Sequence, residues 1–305
     1  MQATVIKSTG SNYTVTLASG ATVNAKIKGS FRIKEIKSTN PIAVGDVVTI
    51  LNSGEGEYVI TDIEIRKNYI IRKSINLSRQ THIIASNIDH ALLVVTLAMP
   101  RTSTGFIDRF LVTAEAYQIP TTLVFNKVDL YGDEGLETLN YYINLYAKIG
   151  YKSIKTSTIT GEGMSEIEQI VSSGNTLLSG HSGVGKSTLL NLLDDNFKIK
   201  TGIISEAHSK GKHTTTFAEM HKTKFGGFVI DTPGIKELGL VDIDKDELHK
   251  YFPEFRELSE LCKFNNCTHI NEPNCAVINE YEKDGNNLLR YPSYIGIYEQ
   301  LASDK

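Results

Sequence analysis

Residues Gly180-His181-Ser182-Gly183-Val184-Gly185-Lys186-Ser187, with Thr188 following, spell GxxxxGK[ST] without a mismatch. An apolar run, Thr176-Leu177-Leu178, leads in, and Ser187 to Leu193 leads out with a helical pattern. A buried strand, a glycine turn and a helix in that order demand an α/β sheet, because the strand needs neighbours and the helix needs a face to cover. The chemistry explains the residue types. Bare backbone N–H groups must close around phosphate oxygens without Cβ obstruction, and the helix N-terminus adds partial positive charge. Lys186 is expected to bridge the β- and γ-phosphates, and the Ser187 hydroxyl to ligate Mg²⁺.

Two further segments extend this reading. Phe228-Val229-Ile230-Asp231-Thr232-Pro233-Gly234 is a strand ending in Asp-x-x-Gly. There Asp231 is expected in the Mg²⁺ shell and the Gly234 N–H against the γ-phosphate. Between the two lies Gly211-Lys212-His213-Thr214-Thr215-Thr216, a polar loop that offers Thr215 to the metal. Phe125-Asn126-Lys127-Val128-Asp129 ends another strand and matches the guanine-reading motif. A carboxylate on Asp129 accepts from the guanine ring N–H and exocyclic amine, a donor pair that adenine lacks. Asn126 can bond the purine edge, the Lys127 stem can cover the ring, and Thr156-Ser157-Thr158 offers a backbone N–H to the guanine oxygen. The base-reading turn precedes the phosphate loop, so the motifs run in circularly permuted order. Ile235 stands where many GTPases carry a water-orienting glutamine, which predicts slow intrinsic hydrolysis. His213 is the nearest candidate to position the nucleophile; contact with solvent or RNA is its alternative role.

The rest of the chain frames this core. Period-two alternation at 13–17, 22–27, 47–51 and 58–60, broken by glycine turns, predicts a small barrel of about five strands, OB-like or SH3-like. Residues 66–80 read as a linker. Ala91 to Val95 and Thr122 to Phe125 read as buried strands, and Ile107 to Tyr117 and 135–149 as helices. Ser165 with Glu168 reads as a capping box opening a third helix. Asp246 to Tyr251 and Tyr294 to Leu301 carry short helical patterns in a C-terminal segment too small to be secure without a staple. The fold class expected is thus multi-domain: a β-barrel over 1–72, a permuted α/β P-loop domain over 73–240, and a mainly α metal-binding domain over 241–305. The net charge is −3, yet residues 1–80 hold eleven Lys/Arg against six Asp/Glu, a net of +5 that leaves −8 for the remainder. That asymmetry suggests a polyanion partner for the barrel, the alternative being a solvated basic surface.

All three cysteines, Cys262, Cys267 and Cys275, fall within fourteen residues beside His269. Three thiolates and an imidazole form a closed tetrahedral set, so a structural Zn²⁺ is expected, with iron the main competitor. No run of apolar residues approaches a membrane span. The N-terminus lacks a basic cap followed by an apolar run, which predicts a cytoplasmic protein.

Taken together, the barrel, NKVD, GHSGVGKST and DTPG in permuted order, the GKHTTT segment and the cysteine-histidine knuckle resemble the bacterial ribosome small subunit-dependent GTPase A (RsgA) family. The stretches Thr104 to Leu111 and Glu272 to Val277 are similar to it as well, and the likeness covers essentially the whole chain. Lys212 stands where many members carry Arg, which keeps the charge. The resemblance implies a slow GTPase of late small-subunit maturation. It implies binding of 16S-type rRNA through the barrel and the zinc domain and stimulation by the small subunit; a monomer is expected. Two alternatives stand beside it: an RNA-binding module with a structural nucleotide, and a permuted GTPase acting on the large subunit.

Overall fold

The computed structural model describes residues 1–27, 41–54, 56–73, 81–193, 218–232, 240, 243–283 and 288–303. Five strands open the chain: β1 (Gln2–Thr9), β2 (Asn12–Leu17), β3 (Thr22–Ile27), β4 (Val47–Gly54) and β5 (Glu57–Ile63). They run in the order β1-β2-β3-β5-β4, and β4 returns to β1, where Gln2, Ala3 and Thr4 face Thr49, Val48 and Val47. Among the described barrel strands β3 and β5 run parallel and the other pairs antiparallel. This closed barrel has the OB-like form. Its inward positions, Val5, Tyr13, Val15, Ala25, Val48, Ile50 and Ile60, alternate with outward ones as the period-two pattern requires. β1 lies ahead of the alternating segments, and its own alternation carries few large apolar residues to mark it.

Part of the expected linker is strand. β6 (Tyr69–Lys73) pairs antiparallel with β7 (Thr81–Ser86). The basic residues hid the signal, since Tyr69, Ile70 and Ile71 are enough to make one rung-forming segment.

The central sheet contains β8 (His90–Val95), β9 (Thr121–Phe125), β10 (Lys152–Lys155), β11 (Asn175–Ser179), β12 (Glu219–Lys222) and β13 (Phe228–Asp231). The order is β10-β9-β8-β11-β13-β12, parallel except for β12. Helices α1 (Thr104–Ala116) and α2 (Asp133–Lys148) cover one face, where Ile107, Phe110, Leu111, Leu139 and Tyr146 meet Ala91, Leu93 and Phe125. Helices α3 (Met164–Ile170) and α4 (Lys186–Leu193) cover the other, where Ile167, Leu189 and Leu190 meet Leu92, Val94 and Leu178. The expected capping box is not what starts α3: Ser165 and Glu168 lie inside the helix, and Gly163 caps it at φ 72°. A Cβ there would stand 2.0 Å from the Lys155 carbonyl, so glycine lets the helix begin tight against β10.

From β8 the chain steps to β9 and β10 on one side, then returns to place β11 on the other. The switch point therefore lies between β8 and β11, where a crevice opens beyond the C-terminal strand ends and ligands of open α/β sheets bind. Among the described residues the barrel joins this sheet where Lys7 of β1 stands opposite Glu219 of β12. The C-terminal segment forms a 3₁₀ turn over Lys245–Tyr251, then α5 (Pro253–Glu260), α6 (Ala276–Lys283) and α7 (Tyr291–Ser303). Phe252, Phe255, Val277, Tyr294 and Leu301 pack there against Val112 of α1.

Candidate nucleotide site and metal centre

Gly180 to Gly185 turn from β11 into α4 at the switch point. Val184 is buried beneath the loop, while Ser182 and Gly183 are exposed. The Lys186 ammonium donates to the Gly180 and His181 carbonyls at 2.6 and 2.7 Å, which folds it back over the loop. Burial pushes its pKa down and the nearby Asp231 carboxylate pulls it up, the downward effect prevailing. Asp231, at the end of β13, pairs in register with Leu178, so it borders the loop. Burial raises its carboxyl, against the pull of Lys186. Ser187 and Thr188 sit half-buried in the first turn of α4.

The base-reading turn leaves β9 and meets the phosphate loop directly. Asn126, at 0% exposure, donates from Nδ2 to the Val184 carbonyl at 2.8 Å and accepts at Oδ1 from Thr156 Oγ1 at 3.0 Å. Both ends of its amide are thus engaged within the protein. Gly185, at φ 104°, lies against that amide so closely that a Cβ would come 2.2 Å from Nδ2. Lys127, left-handed at φ 63°, sends its ammonium to the Met99 and Gly183 carbonyls, each at 2.7 Å. Val128 is buried and Asp129 exposed. Ser157 Oγ donates to Asp129 Oδ1 at 2.5 Å while accepting from the Ile159 and Thr160 amides, which orients the carboxylate. Thr158, half-buried, follows. His213, Thr215 and Gly234 lie outside the described residues.

Residues 97–103 join this region with no motif of their own to mark them, and Phe106, from the family-like stretch Thr104 to Leu111, reaches it too. Met99 accepts from Lys127, and the Phe106 ring lies 3.7 Å, centroid to centroid, from that of His181.

In the C-terminal segment, one donor atom from each of Cys262, Cys267, His269 and Cys275 lies within 4.8 Å of the others. Cys262 Sγ is 3.9 Å from Cys275 Sγ and 3.6 Å from His269 Nδ1, which is 3.3 Å from Cys275 Sγ. Donors around a tetrahedral ion with bonds of about 2.3 Å stand about 3.8 Å apart. The set fits a metal ion. His269 Nε2 faces Ser259 Oγ at 3.1 Å, and that hydroxyl gives its proton to the Phe255 carbonyl at 2.6 Å. The ring proton therefore sits on Nε2 and the Nδ1 lone pair turns to the thiols. Burial pushes the Cys267 thiol up to about 12 and, with His249 beside it, holds the His269 imidazole down at about 4. A cation would favour thiolates here, since ligation removes the proton. Burial alone would raise the Glu272 carboxyl, but hydrogen bonds from Thr268 Oγ1 and the Thr268, Ile270 and Asn271 amides hold it at about 2 and close the loop.

A phosphate loop at the switch point, with the base-reading turn ahead of it in the chain, is the arrangement of a circularly permuted P-loop GTPase. A family profile described as RsgA GTPase matches residues 63–241, and one described as RsgA N-terminal domain matches residues 2–60. The chain belongs to the RsgA GTPase family, and is a GTP hydrolase. A Flavobacterium psychrophilum protein named small ribosomal subunit biogenesis GTPase RsgA is 52% identical over 302 residues, 98% of this chain and 93% of the relative. A Bacteroides fragilis protein of the same name is 50% identical over 305 residues, 100% of this chain and 98% of its own. Among solved structures, YjeQ from Thermotoga maritima superposes with a TM-score of 0.79 at 33% identity, covering 99% of this chain and 98% of that one. YloQ, described as a circularly permuted GTPase, gives 0.74 at 29% identity, covering 100% and 96%. No helix among the described residues is long and apolar enough to cross a membrane.

Proposed function

We propose that this GTPase binds the small ribosomal subunit and assists its late maturation, hydrolysing GTP slowly alone and faster on the subunit. The names of its full-length relatives support the partner. The observation that carries the nucleotide is the clamp of base-reading turn on phosphate loop, Asn126 to Val184 and Lys127 to Gly183, with Ser157 steering Asp129. Under this reading Asp129 accepts from the guanine N–H donors, the Lys127 stem covers the ring, and the amides around Ser157 and Thr158 meet the guanine oxygen. The amides from Ser182 to Thr188 hold the β- and γ-phosphates, and Lys186 exchanges its two carbonyl partners for phosphate oxygens. When bound, magnesium neutralises charge between those phosphates, held by Ser187, Asp231 and Thr215. Gly234 senses the γ-phosphate. His213 positions the attacking water in place of the missing glutamine.

The metal at Cys262, Cys267, His269 and Cys275 is read as structural zinc, because its four positions leave none open for substrate. The three units are 1–72, 73–240 and 241–305. The first and last contact rRNA, the basic charge of residues 1–80 supporting the first. The protein acts as a cytoplasmic monomer. The test is GTP turnover with and without purified small subunits, large subunits serving as the control. A marked rise with small subunits alone is expected, and turnover indifferent to them overturns the assignment.

A further inference from the structure

We propose that Tyr131 is a positioning residue for guanine recognition, fixing the turn that carries Asp129. The proposal deepens the nucleotide reading above and rests on it. β8 and β9 run in register as far as Val95 opposite Phe125, and the last rung is the Asn126 amide on the Val95 carbonyl at 2.9 Å. Beyond it the two chains part, one toward α1 and the other into the base-reading turn. Parting leaves the Leu97 N–H and the Asn126 C=O without each other, and buried backbone groups require partners. Tyr131 supplies both. Its hydroxyl accepts from the Leu97 amide at 2.8 Å and donates to the Asn126 carbonyl at 2.9 Å.

The consequence is geometric. Residues 126–131 become a closed ring, through the Tyr131 hydroxyl at one end and the Tyr131 amide on the Val128 carbonyl at 3.1 Å. Asp129 sits within that ring, exposed, while Tyr131 is only 9% exposed. Ser157 sets the direction of the Asp129 carboxylate; Tyr131 sets the backbone it hangs from. Tyr131 touches neither base nor phosphate in this arrangement, so its effect is on how well two hydrogen bonds to the base are aimed.

Tyr131→Phe removes the hydroxyl and keeps the ring. Binding of fluorescent GDP and IDP to the full chain in magnesium buffer is the measurement, with kcat and Tm alongside. Hypoxanthine keeps the ring N–H and lacks the exocyclic amine, so a misaimed carboxylate loses more with guanine. The expected result is a Kd for GDP raised about tenfold and for IDP about threefold, with kcat within twofold and Tm little changed. Faster exchange of the Leu97 amide should accompany it. Equal losses for both nucleotides, or none, overturn the proposal. Asp129→Asn is the control for the underlying reading: it should trade guanine for xanthine nucleotides, whose 2-oxygen accepts where guanine donates. If Asp129→Asn leaves GDP binding intact, the nucleotide reading falls first; if it behaves and Tyr131→Phe does not, only the role of Tyr131 falls.

Discussion

At the barrel seam a buried carboxylate, Asp46, is held by Arg66, and at the C-terminal seam a buried arginine, Arg290, holds Asp108 of α1 and Glu254 of α5. The first seam is balanced. Arg66 reaches Asp46 through Nε at 2.7 Å and Nη2 at 2.6 Å, and the Ala43 amide and Ser86 hydroxyl complete the carboxylate at 2.8 and 2.6 Å. The second is not. Arg290 gives Nε to Asp108 at 2.8 Å and Nη1 to Glu254 at 3.0 Å, so one guanidinium faces two carboxylates. All three side chains are under a tenth exposed, and Arg290 Nη2 finds no hydrogen-bond partner among the described residues. Burial raises the carboxyls of both Asp108 and Glu254, against the pull of Arg290, and Asp108 adds to the effect on Glu254. Ser293 Oγ and the Tyr146 hydroxyl also donate to Asp108, at 2.5 and 3.3 Å, so the difference teaches that burying an ion pair is tolerated where its charges cancel. Where they do not, the seam holds excess negative charge and becomes sensitive to pH.

The largest effect should come from removing each arginine. Arg290→Met strands two buried carboxylates, of which Asp108 keeps the Ser293 and Tyr146 donors, and should cost about 5 kcal/mol in denaturant unfolding. Arg66→Met strands one that keeps two donors and should cost about 3 kcal/mol. An Arg66 variant less stable than the Arg290 variant would break the comparison.

Glu254→Gln sharpens it, because the substitution deletes the unbalanced charge and keeps an acceptor for Arg290. Stability at pH 7 should change by no more than about 1 kcal/mol. The sign in pH is the telling part. A carboxyl whose folded pKa lies above its ordinary value, 3.8 for Asp108 and 4.5 for Glu254, binds its proton more tightly in the folded state. Stability is therefore lost as pH rises above the ordinary carboxyl range through the folded pKa, and regained on acidification. Unfolding measured across that window should show a smaller loss for Glu254→Gln than for the parent; parallel curves would deny that Glu254 titrates there.

The same unit holds a carboxyl whose pKa is shifted the other way. Glu272, held at about 2 against an ordinary 4.5, contributes stability above pH 4.5 that disappears as pH falls toward 2. It is partly exposed, so after screening Glu272→Gln should cost only about 1 kcal/mol at neutral pH. The cost should vanish in acid, where the seam gains; a cost unchanged at pH 2 would mean the loop is closed by packing instead.

What could be read from the chain divides along sequence distance. The phosphate loop, Asn126 to Asp129 and the cysteine cluster are runs of neighbours whose residue types state their chemistry, and the structure brings each run together as a unit. The two seams were illegible. Arg66 lies 20 residues from Asp46, and Arg290 lies 182 from Asp108 and 36 from Glu254. An isolated arginine in a sequence reads as surface, because burial is exceptional for it without a partner and only the fold supplies that partner. Tyr131 was hidden for a related reason, since a hydroxyl closing two diverging strands has no pattern of its own.

The smallest effect belongs to the pairing by which, among the described residues, barrel and central sheet share a ladder. Lys7 and Glu219 face each other across β1 and β12 and form an ion pair, with side chains 46% and 32% exposed. Water competes for both groups, so the pair should contribute no more than about 0.5 kcal/mol, less at 1 M salt. Lys7→Ala, Glu219→Ala and the double variant, unfolded at low and high salt, form the cycle that measures it. A coupling well above 1 kcal/mol would mean that the strand pairing, rather than the buried Asp46 network, sets how firmly the barrel is held. The charge-balanced seam would then be an accessory to the sheet, and the contrast with Arg290 would lose one of its two sides.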